Sequence, residues 1–263
     1  MLGKLIKYEW KSMGRILLPL FGITIFMSML SGLGLKYWDS LNTISFMGTL
    51  IVLIGVLFAI IIFATLAGPF VVSIYRFKKN LFDSEGYLMN TLPVTSEQNI
   101  AAKLTVSIIY EILAFIAAAI SGMIFSFVMS YIDAGSIIRS FLNEILPYVT
   151  PGMYATGFEF AVLMISGFAA FNSVVYAAIA IGHSAAEHKV LKSVLAYVGI
   201  YMLTQLAGGT ILIPLAANLE LAGMDPLRFV NMMFLLAIIV EVVYSLICLA
   251  VTDYFMKKKL NLQ

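Results

Sequence analysis

Charge, histidine and cysteine are all scarce in this chain. Only 11 % of its 263 residues are charged, with two histidines and one cysteine among them. The lone Cys248 sits in an apolar run, so no disulfide framework can form within the chain, and the residue reads as a small core side chain. His183 and His188 flank Glu187, but their spacing is wrong for adjacent helical ligands and no further ligand stands nearby, so the turn reads as solvated rather than metal-binding. No Gly-rich phosphate loop with its lysine, no dinucleotide fingerprint and no nucleophile with a base at hand occurs. The chain is therefore expected to be no enzyme, to bind no metal and no cofactor of its own, and to draw any energy from ions or from another polypeptide. The formal charge of +2 says little as a total, and no nucleic acid is expected among the partners.

What fills the chain is apolar. Hydrophobic residues make up 62 % and the mean hydropathy is +1.00, whereas soluble domains are nearer half apolar and about a quarter charged. The reading is an all-α polytopic membrane protein, a single transmembrane domain over 1–263 with no soluble domain and no internal repeat. The start lacks a short apolar core followed by small residues, so no cleavable signal is expected. Residues 2–15 pattern as an amphipathic helix lying in the membrane plane, with Leu2, Leu5, Ile6, Trp10 and Met13 on one side and Lys4, Lys7, Lys11 and Arg15 on the other; a solvated extension of the first span is the alternative.

Six spans follow, at about 16–35, 46–74, 104–131, 158–182, 193–215 and 229–252, all at least the ~20 residues a bilayer needs, the second long enough to tilt or protrude. Gly68-Pro69 is expected to kink or break the second span, and Gly208-Gly209 with Pro214 the fifth. In the third, Glu111, Ala114, Ala118, Gly122, Ser126 and Ser130 form a small-residue stripe suited to close helix contact, within the bundle or between subunits. An external segment at 132–157 carries a short amphipathic helix from Ile137 to Ile145. With both termini in the cytoplasm, only Lys36, Arg139 and Arg228 of the 16 Lys and Arg residues remain outside, which is the bias of the positive-inside rule.

Four polar residues fall inside spans: Glu111, Asn172, Gln205 and Glu241. Such groups are costly in lipid and normally face the bundle interior or water. The two glutamates suit either a proton relay or substrate contacts on one side, or interhelical hydrogen bonding on the other. The two amides suit interhelical hydrogen bonding.

The longest polar interruption in the first half of the chain is 76–103. Arg76, Lys78 and Lys79 open it and Lys103 closes it. Between them, Asp83 and Glu85 can cap a short helix, Gly86 allows a turn, Tyr87 and Leu88 offer an apolar anchor, and Leu92-Pro93 ends the helix. Ser96 can then cap the extension of the third span. A helix held across the bilayer surface with these groups suits docking to a soluble partner; a capped, solvated hairpin is the plainer alternative.

The run RFKKNLFDSEGYLMNTLPVTSEQNIAAKL resembles the first cytoplasmic loop of ABC type-2 exporter permeases, especially the small bacterial ones encoded beside an ATPase, and the layout of amphipathic start, six spans and basic tail is similar. The resemblance implies a plasma-membrane permease subunit. Two such subunits, identical or homologous, would pair with two copies of a separate ATPase that holds ATP and Mg2+. It implies that Asp83, Glu85, Gly86, Tyr87, Leu88, Leu92 and Pro93 form the coupling element in a groove of that ATPase. The turn 183–192 would be a lesser contact, and the helix at 2–15 a connecting helix against membrane lipids. The substrate would be an amphiphile such as an antimicrobial peptide or drug. The family's larger members carry their extended external segment between the last two spans, whereas here the longer one follows the third. Readings from other classes are an ion-coupled secondary transporter using Glu111 and Glu241, and a membrane sensor or scaffold.

Overall fold

A computed structural model describes residues 2–41, 45–82, 94–129, 139, 143, 150–185, 187–221, 223 and 225–258. The regular elements of these residues are helices: α1 (Leu2–Lys36), a single-turn α2 (Trp38–Leu41), α3 (Ser45–Leu81), α4 (Ser96–Met129), α5 (Pro151–His183), α6 (Lys189–Leu221) and α7 (Pro226–Lys258). No strand occurs among the described residues. All but α2 contain a stretch long and apolar enough to cross a membrane, which makes six candidate spans. The shortest of the six have 33 residues, about 50 Å at 1.5 Å per residue. The apolar bilayer core is only about 30 Å thick, so every helix outruns it.

Three consequences of the sequence differ from expectation. Residues 2–15 are not a separate element: α1 is one helix of 35 residues that continues into the first span. Gly208-Gly209 and Pro214 do not break α6, which runs on through Pro214 to Leu221, and of the kink or break expected at Gly68-Pro69 the break does not occur, since α3 runs on through Pro69 to Leu81. A span has strong reason to stay helical past a proline, because backbone groups freed in lipid find no water. The fourth span begins earlier than its hydropathy suggests. Thr150 is extended and Pro151 opens α5, where a missing N–H costs nothing and the fixed φ is already helical. The amphipathic helix expected at 137–145 lies outside the described residues, apart from positions 139 and 143.

The chain divides into two compact units. The larger comprises the described residues of 1–7, 73–108 and 150–263, and the smaller those of 8–72 and 109–149. The helices α3 and α4 each contribute one part to either unit.

In the larger unit α5 is the central element. Of its most apolar window 61 % is buried, against none of that of α6. One core cluster gathers Phe77, Leu81 and Phe82 from the end of α3, Ile100 from α4, Val175, Tyr176, Ile179 and Ala180 from α5, and Met256 from α7. A second joins Val174 and Ala177 to Cys248, with Tyr197, Ile200 and Tyr244 packed around it, so Cys248 is a core residue. The turn after α5 is tight: a Cβ on Gly182 would overlap the Ser193 hydroxyl and backbone nitrogen, so only glycine lets the start of α6 fold back this closely.

The smaller unit packs α1 against α3 and α4. A Cβ on Gly32 would lie 2.9 Å from Val128 Cβ and 3.1 Å from the Phe125 carbonyl oxygen, closer than real side chains come. Thr24 and Thr65 hydroxyls meet at 2.5 Å, and the Phe58 and Phe125 rings stack 5.4 Å apart. Nearer the chain start, the Trp10 ring lies 4.6 Å from that of Tyr110, whose hydroxyl donates to the Trp10 carbonyl at 2.9 Å. The row that α4 buries is Tyr110, Glu111, Ala114, Ala117 and Ser121. It shares Glu111 and Ala114 with the expected stripe and then departs from it, since Gly122 has nothing within 4 Å and Ser126 is exposed.

Candidate functional site

The residues expected to couple to a partner, Asp83, Glu85, Gly86, Tyr87, Leu88, Leu92 and Pro93, lie outside the described residues. What is described is the pair of feet on which that loop stands. On the α3 side, Phe77 stacks on Tyr176 with ring centroids 3.8 Å apart and planes 5° from parallel. Phe82, just past the helix end, lies 5.8 Å from the Phe77 ring and 5.0 Å from that of His183. His183 is thus not part of a solvated turn. It is buried as the last residue of α5, and since its Nδ1 faces the Ile179 carbonyl at 2.9 Å, that nitrogen carries the proton. His188 and Glu187 are exposed.

On the α4 side the cap is Thr95, not Ser96. Thr95 Oγ1 accepts from the backbone N–H of Gln98 at 3.3 Å and its carbonyl accepts the first helical bond, from Asn99, at 3.2 Å. Thr-x-x-Gln is the sequence form of a capping box, a signal that the Ser96 reading passed over. One turn on, Ile100 enters the same cluster as Phe77 and Phe82, and Lys103 is buried. Glu97 and Asp253 both pair with Lys257, at 2.8 and 2.7 Å. The Lys257–Glu97 pair is exposed, so it contributes little to stability and ties the start of α4 to the end of α7 mainly by geometry, while the partly covered Asp253 holds Lys257 from one turn back on α7. Both feet of the loop are therefore fastened to one cluster shared with α5 and α7.

The four intramembrane polar residues have different surroundings. Asn172 is buried: its Nδ2 donates to the Phe168 carbonyl at 2.9 Å, and its Oδ1 accepts from Ser73 at 3.0 Å. Ser73 Oγ also lies 2.7 Å from Ser107 Oγ and 2.8 Å from the Tyr176 hydroxyl. With its one proton committed to Asn172, Ser73 accepts from both, which fills its hydrogen-bonding capacity. This four-residue network joins α3, α4 and α5. Glu241 is half-buried and accepts from Ser166 across α5 and α7. Glu111 is buried in the smaller unit, so the two glutamates do not belong to one compact unit. Gln205, for which interhelical hydrogen bonding was expected, is exposed, because α6 buries none of its most apolar stretch.

The polar contacts of α5 go further than hydropathy indicates. Thr156 donates to Asn231 and Ser173 shares a hydrogen bond with Ser245 at 2.8 Å. Ser73, Ser107, Tyr176 and these two pairs were all missed in the sequence. Their only local signal is a hydroxyl, or at Asn231 an amide, within an apolar run, which is common in spans and names no partner. In comparisons with known proteins the chain matches no family model, no curated protein and no solved structure.

Proposed function

We propose that this chain is the membrane permease subunit of an ATP-binding-cassette exporter. Two copies, or one with a homologue, assemble in the plasma membrane with both termini in the cytoplasm. Two separate ATPase subunits hold ATP and Mg2+, and this chain catalyses no reaction itself. Its cargo is an amphiphile, an antimicrobial peptide or drug. The observation that carries this reading is the 76–103 stretch, with its basic–acidic–Gly-Tyr-Leu–Leu-Pro sequence, whose two helical ends are packed into one hydrophobic cluster. A loop that transmits force needs stiff attachments. A push on Tyr87 or Leu88 reaches Phe82 and Thr95 within a few residues, and from there α3 and α4 continue into the smaller unit. Access then switches by movement of packed helices. The orientation follows from the distribution of Lys and Arg.

The experiment is co-purification in detergent with an ATP-binding-cassette ATPase from the same cells, combined with ATPase activity. The double variant Tyr87→Ala, Leu88→Ala is expected to insert and fold like wild type while losing about 30-fold in ATPase association, as removal of an anchor worth ~2 kcal/mol implies. Asp83→Ala and Glu85→Ala are expected to cost about fivefold or less, the size of a cap or rim charge. A double variant that binds and stimulates the ATPase like wild type overturns the reading.

A further inference from the structure

The end of α3, the second half of α5 and the start of α6 enclose a half-open groove of about 330 Å3. Its lining changes character along its length. Toward the middle of the helices stand Ile74, Phe171, Val175, Val194 and Tyr197; toward the helix ends Lys78, His183 and Ser193 stand beside Val190. From Phe171 to His183 the groove follows α5 for about 18 Å. Two of the polar groups are spoken for within the fold, since Ser193 Oγ donates to the Lys189 carbonyl at 2.9 Å and His183 Nδ1 donates to that of Ile179. Lys78 is the cation of the described lining, and its side chain is only partly covered. Glu187 is exposed on the adjoining turn, and Lys189 and Lys192 follow it in the sequence, so the stretch 187–192 carries a net positive charge.

We propose that this groove binds an anionic phospholipid of the surrounding bilayer, with one acyl chain along Phe171, Val175 and Val194 and the headgroup phosphate at Lys78. The match is one of polarity and of size. An apolar trough ending in an ammonium group at the ends of the helices reproduces the order of chain and phosphate in a lipid. A volume of about 330 Å3 sits at the low end of the ~300–1,000 Å3 of small-molecule clefts. It takes one chain and is too small for a helix of a partner, whose diameter with side chains is about 10–12 Å. The outer lip, with Val190 61 % and Val194 53 % exposed, lets the chain enter sideways from the bilayer. The site belongs to the larger unit alone and does not depend on an ATPase.

The test uses the full-length protein in phosphatidylcholine nanodiscs doped with phosphatidylglycerol or phosphatidylcholine carrying a photoactivatable group in one acyl chain, and maps the cross-linked peptides by mass spectrometry. Phosphatidylglycerol is expected to label 171–179 and 190–197 above the other spans and above its zwitterionic counterpart. Lys78→Gln is expected to lower the phosphatidylglycerol yield there about fivefold, the size of one lysine near an anionic headgroup, and to leave the phosphatidylcholine yield unchanged. Val194→Trp, a substitution on the exposed lip that leaves the core intact, is expected to suppress both. Equal labelling by the two lipids, labelling spread evenly over all six spans, or a Lys78→Gln yield equal to wild type each overturns the proposal.

Discussion

Along α5, polar side chains meet partner helices at Thr156, Ser166, Asn172, Ser173 and Tyr176. In the smaller unit the prominent device is the removal of a side chain, as at Gly32 beneath Val128 and at Gly14, whose Cβ would lie 2.6 Å from the Tyr110 hydroxyl. Both solve one problem. Between spans there is no hydrophobic gain, because lipid tails are as apolar as leucine, so association rests on close packing and on interhelical hydrogen bonds. Glycine packing is unforgiving where, as at Gly32, the added carbon meets a facing Cβ and a backbone carbonyl that cannot turn aside. Hydrogen-bond packing is graded, because each bond is worth little and the network can lose a member. The comparison therefore places the tunable contacts along α5, in the larger unit, whereas steric weak points occur in both units, at Gly32 in the smaller and at Gly182 in the turn after α5 in the larger.

The largest effect is expected at Gly32→Leu. Four added carbons must displace Val128 or the Phe125 carbonyl, and overpacking of this kind costs ~1–3 kcal/mol or more. Thermal unfolding in detergent followed by size-exclusion chromatography is expected to show loss of most of the folded fraction. A variant as stable as wild type would remove the contrast between the two units.

Next in size is Asn172→Leu, expected to cost ~1–2 kcal/mol by leaving Ser73 without its acceptor in a buried site. A double-mutant cycle of Asn172→Leu with Ser73→Ala is expected to return a coupling of ~0.6 kcal/mol, and at most about 1.7 kcal/mol. Zero coupling would mean that the α3–α5 hydrogen bond does not contribute. Smaller again is Tyr110→Phe, which removes one hydrogen bond to the Trp10 carbonyl and keeps the ring contact. About 0.6 kcal/mol is expected by the same measurement.

The smallest effect is expected at Glu241→Gln and Glu111→Gln. The amide at position 241 keeps an acceptor oxygen for Ser166, so stability and ATP-driven transport in reconstituted vesicles are both expected to stay near wild type. Transport driven by a proton gradient without ATP, lost in these variants with assembly intact, would favour the ion-coupled alternative and overturn the exporter reading.

Much of the helical layout is legible in the sequence, and the physical reason is locality. A span is a property of about 20 consecutive residues, so the six apolar stretches declare themselves without reference to their neighbours. Helix ends were read less well: Thr95 rather than Ser96 caps α4, and Pro151 opens α5 two turns before the apolar run. At both ends the polar extension is helical because the residues there cap or start it, a signal that hydropathy overlooks. For the loop at 83–93 the sequence remains the source of the functional reading.

Nothing local says which face of a span meets another. Most of the spans are apolar all round, so the pattern that marks the buried side of a soluble helix is missing. Asn172 and Gln205 look alike in the sequence, a neutral amide within an apolar run. The structure buries one against Ser73 and leaves the other exposed, because α5 is surrounded and α6 is not. The partners of Ser73 are 34, 99 and 103 residues away. The amino-acid sequence by itself determines six spans, their polar ends and the cation bias between the loops, all set by transfer of short segments from water to lipid. The hydroxyl network, the glycine contacts and the groove beside Lys78 depend on side chains from different helices meeting at one depth, and tertiary packing alone decides that.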